Sequence, residues 1–179
     1  PIARAMMSVS WLFILGGFML AGWLASRAAQ TARSLPAQYA ALAGYVVIEA
    51  LIFLPLLVIA NQIAPGAISS AGLVTILGFA ALTGIAFYTR KDFSFLRGAL
   101  MWGGAGAMLL VLAGVIFGFQ LGVFFSVAMV VFAGAAILYD TSNVVHHFPE
   151  DRYVAASLQL FSSVTLMFWY VLRIFMSRR

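Results

Sequence analysis

The 179-residue chain is 64% hydrophobic and only 8% charged, with a formal net charge of +5 and a mean hydropathy of +1.07, whereas an ordinary soluble domain carries about 25% charged residues. Ten basic and five acidic side chains cannot clothe a soluble protein of this length in a polar shell, so lipid is expected to cover most of the surface. The basic residues are scattered singly or in pairs rather than gathered into a stripe, which excludes nucleic acid as a partner, and the absence of cysteine excludes disulfides and thiolate metal sites.

Apolar blocks run from Met6 to Ser26, Gln38 to Ala60, Ile68 to Tyr88, Gly98 to Phe117, Gln120 to Tyr139 and Val154 to Met176. Each is close to the roughly 20 residues that carry a helix across a hydrocarbon core. Barrel strands would be about half as long and would alternate polar with apolar, so helices are the remaining way to satisfy the backbone in lipid. The expected fold is all-α: one polytopic transmembrane bundle of six spanning helices, forming a single domain over residues 1–179. The breaks at Arg27 to Pro36, Asn61 to Gly66, Thr89 to Arg97, Gly118 to Leu121 and Thr141 to Arg152 are short, so sequential helices are antiparallel neighbours. Because the chain starts at Pro1 rather than methionine, one further helix is expected to precede it.

Alternate breaks fall on opposite sides of the membrane. One side collects Arg27, Arg33, Arg90, Lys91, Arg97 and Arg152, and by the positive-inside rule it is cytoplasmic. Arg4, Arg178 and Arg179 fall on the other side, and the loop bias is expected to outweigh them. Small residues in Gly103-Gly104-Ala105-Gly106, and in the four-residue spacing Gly114, Gly118, Gly122, read as faces of close helix packing. Trp11, Trp23, Trp102 and Trp169 lie toward block ends, where indole rings anchor at the membrane interface.

Five polar positions carry the chemistry. Glu49 sits near the middle of the second block, where an unpaired ionised carboxylate costs at least a few kcal/mol; it is either a proton or cation site, or a protonated acid bonded to a neighbouring helix. Asp140 closes the fifth block in the run Tyr139-Asp140-Thr141-Ser142-Asn143. There it either accepts bonds from freed backbone amides or binds a cation together with the adjacent hydroxyl and amide oxygens. His146 and His147 lie in the following loop near Glu150 and Asp151, as a pH-sensitive pair or as solvated interfacial side chains. Arg173, near the end of the last block, either pairs with a carboxylate or snorkels to the interface. No metal-ligand spacing, nucleophile elbow, phosphate loop or zinc-protease helix is present, and Asp140 lacks the second motif of an intramembrane aspartyl protease. Neither catalysis nor a cofactor is expected.

Two stretches carry a family resemblance. Tyr88-Thr89-Arg90-Lys91-Asp92-Phe93-Ser94-Phe95-Leu96 and Ala136-Ile137-Leu138-Tyr139-Asp140-Thr141-Ser142-Asn143-Val144-Val145-His146, in this order and separated by two helices, resemble the Bax inhibitor/YccA-like family. The resemblance extends weakly through Glu49-Ala50 and Pro55, and is strongest to the bacterial YccA-like branch. It implies a seven-helix bundle with a cytoplasmic amino terminus, of which this chain supplies the last six helices, in a bacterial inner membrane with the Arg90-Lys91 loop inside. For the calcium-leak branch it implies a pH-sensitive pore closed by two aspartates. Asp140 matches the first, but the second position falls on or near Ser162 or Ser163, and a single carboxylate holds calcium poorly. For the YccA-like branch it implies a partner of the membrane protease FtsH. Two functions are therefore expected: a pH-sensitive leak or sensor for calcium or protons, or a non-enzymatic membrane partner that modulates an FtsH-type protease or belongs to a larger complex. A pore requires Glu49 and Asp140 to line one continuous polar cavity; in a partner they are expected to face unrelated surfaces or to be sealed in packing.

Overall fold

The computed structural model describes Leu24, Arg27, Ala28, Thr31 and residues 34–149 and 152–177. Its regular elements are five helices: α1 (Leu35–Ile63), α2 (Ala67–Thr89), α3 (Leu96–Phe117), α4 (Val123–His146) and α5 (Tyr153–Ser177). All five are long and apolar enough to cross a membrane. The expectation of six spans is therefore matched by five among the described residues. The first block, Met6 to Ser26, lies outside them except for Leu24, as do Trp11, Trp23, Arg4, Arg33, Arg178 and Arg179.

Helices form here because long runs of Leu, Ala, Val, Ile and Phe satisfy their own backbone, and turn residues end them. Gly66 (φ 84°) starts α2 and Gly118 (φ 72°) ends α3, both left-handed, while Arg90 (φ 47°) adopts the same conformation after α2 without being glycine. Pro55 lies within α1, and its missing N–H leaves a carbonyl one turn earlier without a helical donor.

Helix α5 is the hub, packed against α1, α2 and α4, and α4 packs in turn against α2 and α3. The main apolar cluster runs inward from the α1–α2 turn and combines Ala60, Ala64, Ala67, Ala71 and Ala133 with Ile137, Met167, Val171 and Leu172, so close backbone approach comes from small side chains rather than from expulsion of water. Gly103 belongs to such a contact, since a Cβ there would lie 3.2 Å from the Phe132 ring. The face read through Gly114, Gly118 and Gly122 does not exist. Gly118 caps α3, Gly122 precedes α4, and the three straddle a turn instead of sharing a helix. Trp169 is half-buried and meets the ring of Phe53 edge-on at 5.0 Å.

Aligned contacts define the two ends. Helices α1 and α5 run parallel: Tyr39 meets Tyr153, Tyr45 meets Phe161, and Phe53 meets Phe168. Their starts share one end with the α2–α3 turn, which is bonded to the end of α4. The opposite end carries the α3–α4 turn, where Arg173 of α5 reaches the carbonyl of Leu121.

The largest departure from expectation is the end of α4. The helix begins at Val123 rather than Gln120, and it continues past Tyr139 to His146. Asp, Thr, Ser and Asn disfavour helix interiors because their side chains compete for backbone bonds. In this run Asp140 and Ser142 are engaged by other elements instead, which removes that competition. Consequently Asp140 lies within α4 and His146 is its last residue, while His147 caps the helix and opens the loop that follows.

Candidate functional site

Asp140 is 5% exposed and lies about a turn and a half before the end of α4. Its partners are neither freed helix-end amides nor the hydroxyls beside it in sequence. Gln159 Nε2 donates to Oδ1 at 2.6 Å and Ser163 Oγ donates to Oδ2. Gln159 and Ser163 are four residues apart on α5 and so occupy one stripe of that helix, which brackets the carboxylate with two neutral donors. The two donors differ: an amide NH₂ can only donate, whereas a hydroxyl can turn and accept. Ser163 therefore donates to the carboxylate and accepts from the carboxylic acid, while Gln159 donates to the other oxygen in both states. The pocket accommodates either protonation state of Asp140 without breaking a bond.

Of Ser162 and Ser163, the pair on or near which the family resemblance places a second acidic residue, it is Ser163 that faces Asp140 directly. The site thus pairs a carboxyl with a hydroxyl rather than with a second carboxyl. Among the described residues no three His, Cys, Asp or Glu side chains gather in a manner suited to a metal ion.

Glu49 is 3% exposed; its carboxyl meets strict hydrogen-bond geometry with no described residue, and the Tyr45 hydroxyl one turn away is the polar group near enough to interact with it. One turn before it, Tyr45 donates to Ser162 Oγ at 3.1 Å. One turn after it, Phe53 lies 5.9 Å from Phe168 and 5.0 Å from Trp169. Residues four apart share a helix face, so Glu49 belongs to the face of α1 turned toward α5. Ser162 serves α1 while its neighbour Ser163 serves α4, which places Glu49 and Asp140 on two flanks of the same helix. No hydrogen bond joins those flanks among the described residues.

Below Asp140, α4 grips the α2–α3 turn. The buried Ser142 hydroxyl accepts from the Phe93 amide at 2.9 Å and donates to the Lys91 carbonyl at 3.2 Å. His146 places Nδ1 2.9 Å from Ser142 O and Nε2 3.2 Å from Arg90 O, and His147 Nε2 lies 3.8 Å from Asp92 Oδ2. The Ser94 amide, bonded to Asp92 at 2.9 Å, holds that carboxyl below the usual carboxylate range, assisted by the nearby histidines. Arg173 stands apart from all of these, donating from Nη2 to Leu121 O at 2.8 Å. It reaches the end of the bundle, as a snorkelling side chain does, and its partner there is a carbonyl rather than a carboxylate.

Of the five residues singled out from sequence, His146 and His147 are brought together with the α2–α3 turn, whereas Asp140, Glu49 and Arg173 occupy three separate places. Sequence reasoning missed Gln159 and Ser142. The signal was present for Gln159, which stands four residues before Ser163 on α5, the spacing of two side chains aimed at one target. Nothing local marks Ser142, whose partners are 49 and 51 residues away.

Residues 2–179 match the family model described as inhibitor of apoptosis-promoting Bax1. The chain is also 39% identical over 111 residues to an uncharacterized protein of Pseudomonas aeruginosa, a match covering 60% of this chain and 49% of that relative. The matched region thus spans about half the length of that curated protein.

Proposed function

Because this chain belongs to the Bax inhibitor family and carries five helices fit to cross a membrane, we propose that it is a pH-responsive leak or sensor for protons or calcium in a bacterial inner membrane, switched at Asp140. The observation that supports this is the bracket of Gln159 and Ser163, which serves the charged and the neutral carboxyl equally. A buried carboxyl whose surroundings fit one state alone is a structural group; one whose surroundings fit both can exchange a proton without local unfolding. Intramembrane ionisable residues mark ion pathways and proton relays by default; Glu49 lies on the other flank of α5, outside the hydrogen bonds of Asp140, so the switch is assigned to Asp140 alone.

The test is flux from liposomes containing the purified chain, with protons and calcium followed across pH. In Asp140→Asn the amide oxygen still accepts from Gln159 and the NH₂ still meets Ser163, so the fold is retained while the titrating proton is lost. Flux in this variant is expected to lose its pH dependence; Glu49→Gln is expected to lower flux while preserving the pH response. Wild-type liposomes no leakier than empty ones would remove the reading.

The placement of Glu49 and Asp140 on separate flanks of α5 favours a second reading, in which the chain is a membrane partner modulating an FtsH-type protease or a subunit of a larger complex. That role requires an interface but no continuous polar path. It predicts co-purification with such a complex in mild detergent, and a solitary protein counts against it.

A further inference from the structure

Both ring nitrogens of His146 face carbonyl oxygens: Nδ1 that of Ser142, one turn back on α4, and Nε2 that of Arg90, across in the α2–α3 turn. A carbonyl oxygen only accepts. Neutral imidazole carries one N–H, so in this geometry it satisfies one carbonyl and opposes its lone pair to the other; imidazolium donates to both. We propose that His146 is a proton-operated latch, whose doubly protonated ring ties the α2–α3 turn to the end of α4 and whose deprotonation releases that turn.

Three observations support the latch. The turn it holds is under local strain, since Arg90 is a non-glycine residue at φ 47°, a conformation that L side chains disfavour. Release would therefore relax the backbone. Among the described residues the turn is also tied to α4 by Ser142, which holds Phe93 N and Lys91 O, and by His147, which faces Asp92. The charges around His146 are mixed. The turn presents Arg90, Lys91 and Asp92, the adjacent His147 ring is 6.2 Å away, and Arg152 precedes α5, while Glu150 and Asp151 lie outside the described residues. Asp92 is the carboxylate that both histidines act on.

The sign follows from which state holds the proton. In the proposed latch imidazolium donates to both carbonyls and neutral imidazole to one, so the tie forms as pH falls and is lost as pH rises. Asp92 contributes in the opposite sense, but only in far more acidic solution, because its carboxyl is held below the usual range. This regulation is independent of whether Asp140 conducts, and it is read without flux.

The experiment is hydrogen–deuterium exchange of the full chain in lipid nanodiscs at about pH 5 and pH 8, the span over which imidazole side chains change charge, corrected for intrinsic exchange. Amides of residues 90–95 are expected to be protected about tenfold more at the lower pH, the factor a charge-assisted hydrogen bond supplies. The difference should vanish in His146→Ala and persist in His147→Asn, with α1 and α5 protected equally throughout. A flat wild-type response, or an undiminished one in His146→Ala, overturns the latch. Should His146→Ala lose protection in α1 and α5, nitrogen-15 spectra of histidine-labelled wild type decide the matter. Both ring nitrogens protonated while the turn is docked supports the proposal, and a single neutral tautomer in that state overturns it.

Discussion

The hydroxyl of Ser163 sets what Asp140 can do. Removing it in Ser163→Ala leaves Gln159 as the donor to Oδ1 and takes away the group that accepts from the protonated acid. Interhelical hydrogen bonds inside membranes contribute only about 0.6 kcal/mol on average, so the fold is expected to survive with a slightly lower Tm. The pH response of flux is expected to flatten much more than the Tm falls. Ser163→Asp is the informative opposite. Two facing carboxyls supply oxygen ligands and compensating charge of the kind calcium requires, so this variant is expected to gain a calcium-dependent rise in Tm that the wild type lacks. Equal stabilisation of the wild type by calcium would show that one carboxyl is already a sufficient site. Much of this site was legible in the sequence. Asp140, Glu49 and the substitution at Ser162 or Ser163 stand out in apolar surroundings, but which of the two serines faces Asp140 depends on the rotation of α5 about its axis, and nothing local determines that.

Helix ends show where local reading fails. The run Asp140-Thr141-Ser142-Asn143 has the composition of a cap, and taken alone it ends a helix. It continues helical because α5 and the α2–α3 turn supply partners from far along the chain. The reverse occurs at Gly114, Gly118 and Gly122, whose regular spacing resembles a packing face although a left-handed glycine interrupts it. Arg90 yields a prediction at this scale. Its left-handed conformation costs a residue with a Cβ about 1 kcal/mol relative to glycine, and His146 contacts its carbonyl rather than its side chain. Arg90→Gly is therefore expected to stabilise the protein by about 1 kcal/mol in detergent unfolding while leaving the His146 contact in place. Destabilisation would mean that the guanidinium holds the turn through contacts of its own.

For the whole molecule, the charge asymmetry of the loops and the antiparallel order of helices make one testable statement. The chain has no cysteine, so single introduced thiols report topology without background. Ser94→Cys in the α2–α3 turn and Phe119→Cys in the α3–α4 turn occupy opposite ends of the bundle, and both positions are exposed. Added outside intact cells, a membrane-impermeant maleimide is expected to label the second and spare the first; the reverse pattern would invert the orientation expected from Arg90, Lys91 and Arg97.

Composition and block length alone determined that this is a bundle of membrane-spanning helices with short connections. Lipid leaves the backbone no other way to satisfy itself, and that constraint acts on every residue locally. The motifs around Arg90 and Asp140 identified the family for the same reason, being contiguous in the chain. Only the tertiary structure decided that Gln159 and Ser163 close on Asp140, that Glu49 lies on the other flank of α5, and that α4 ends on the α2–α3 turn. Those outcomes depend on how helices rotate and approach one another, which is governed by small residues and buried polar partners spread over the length of the chain.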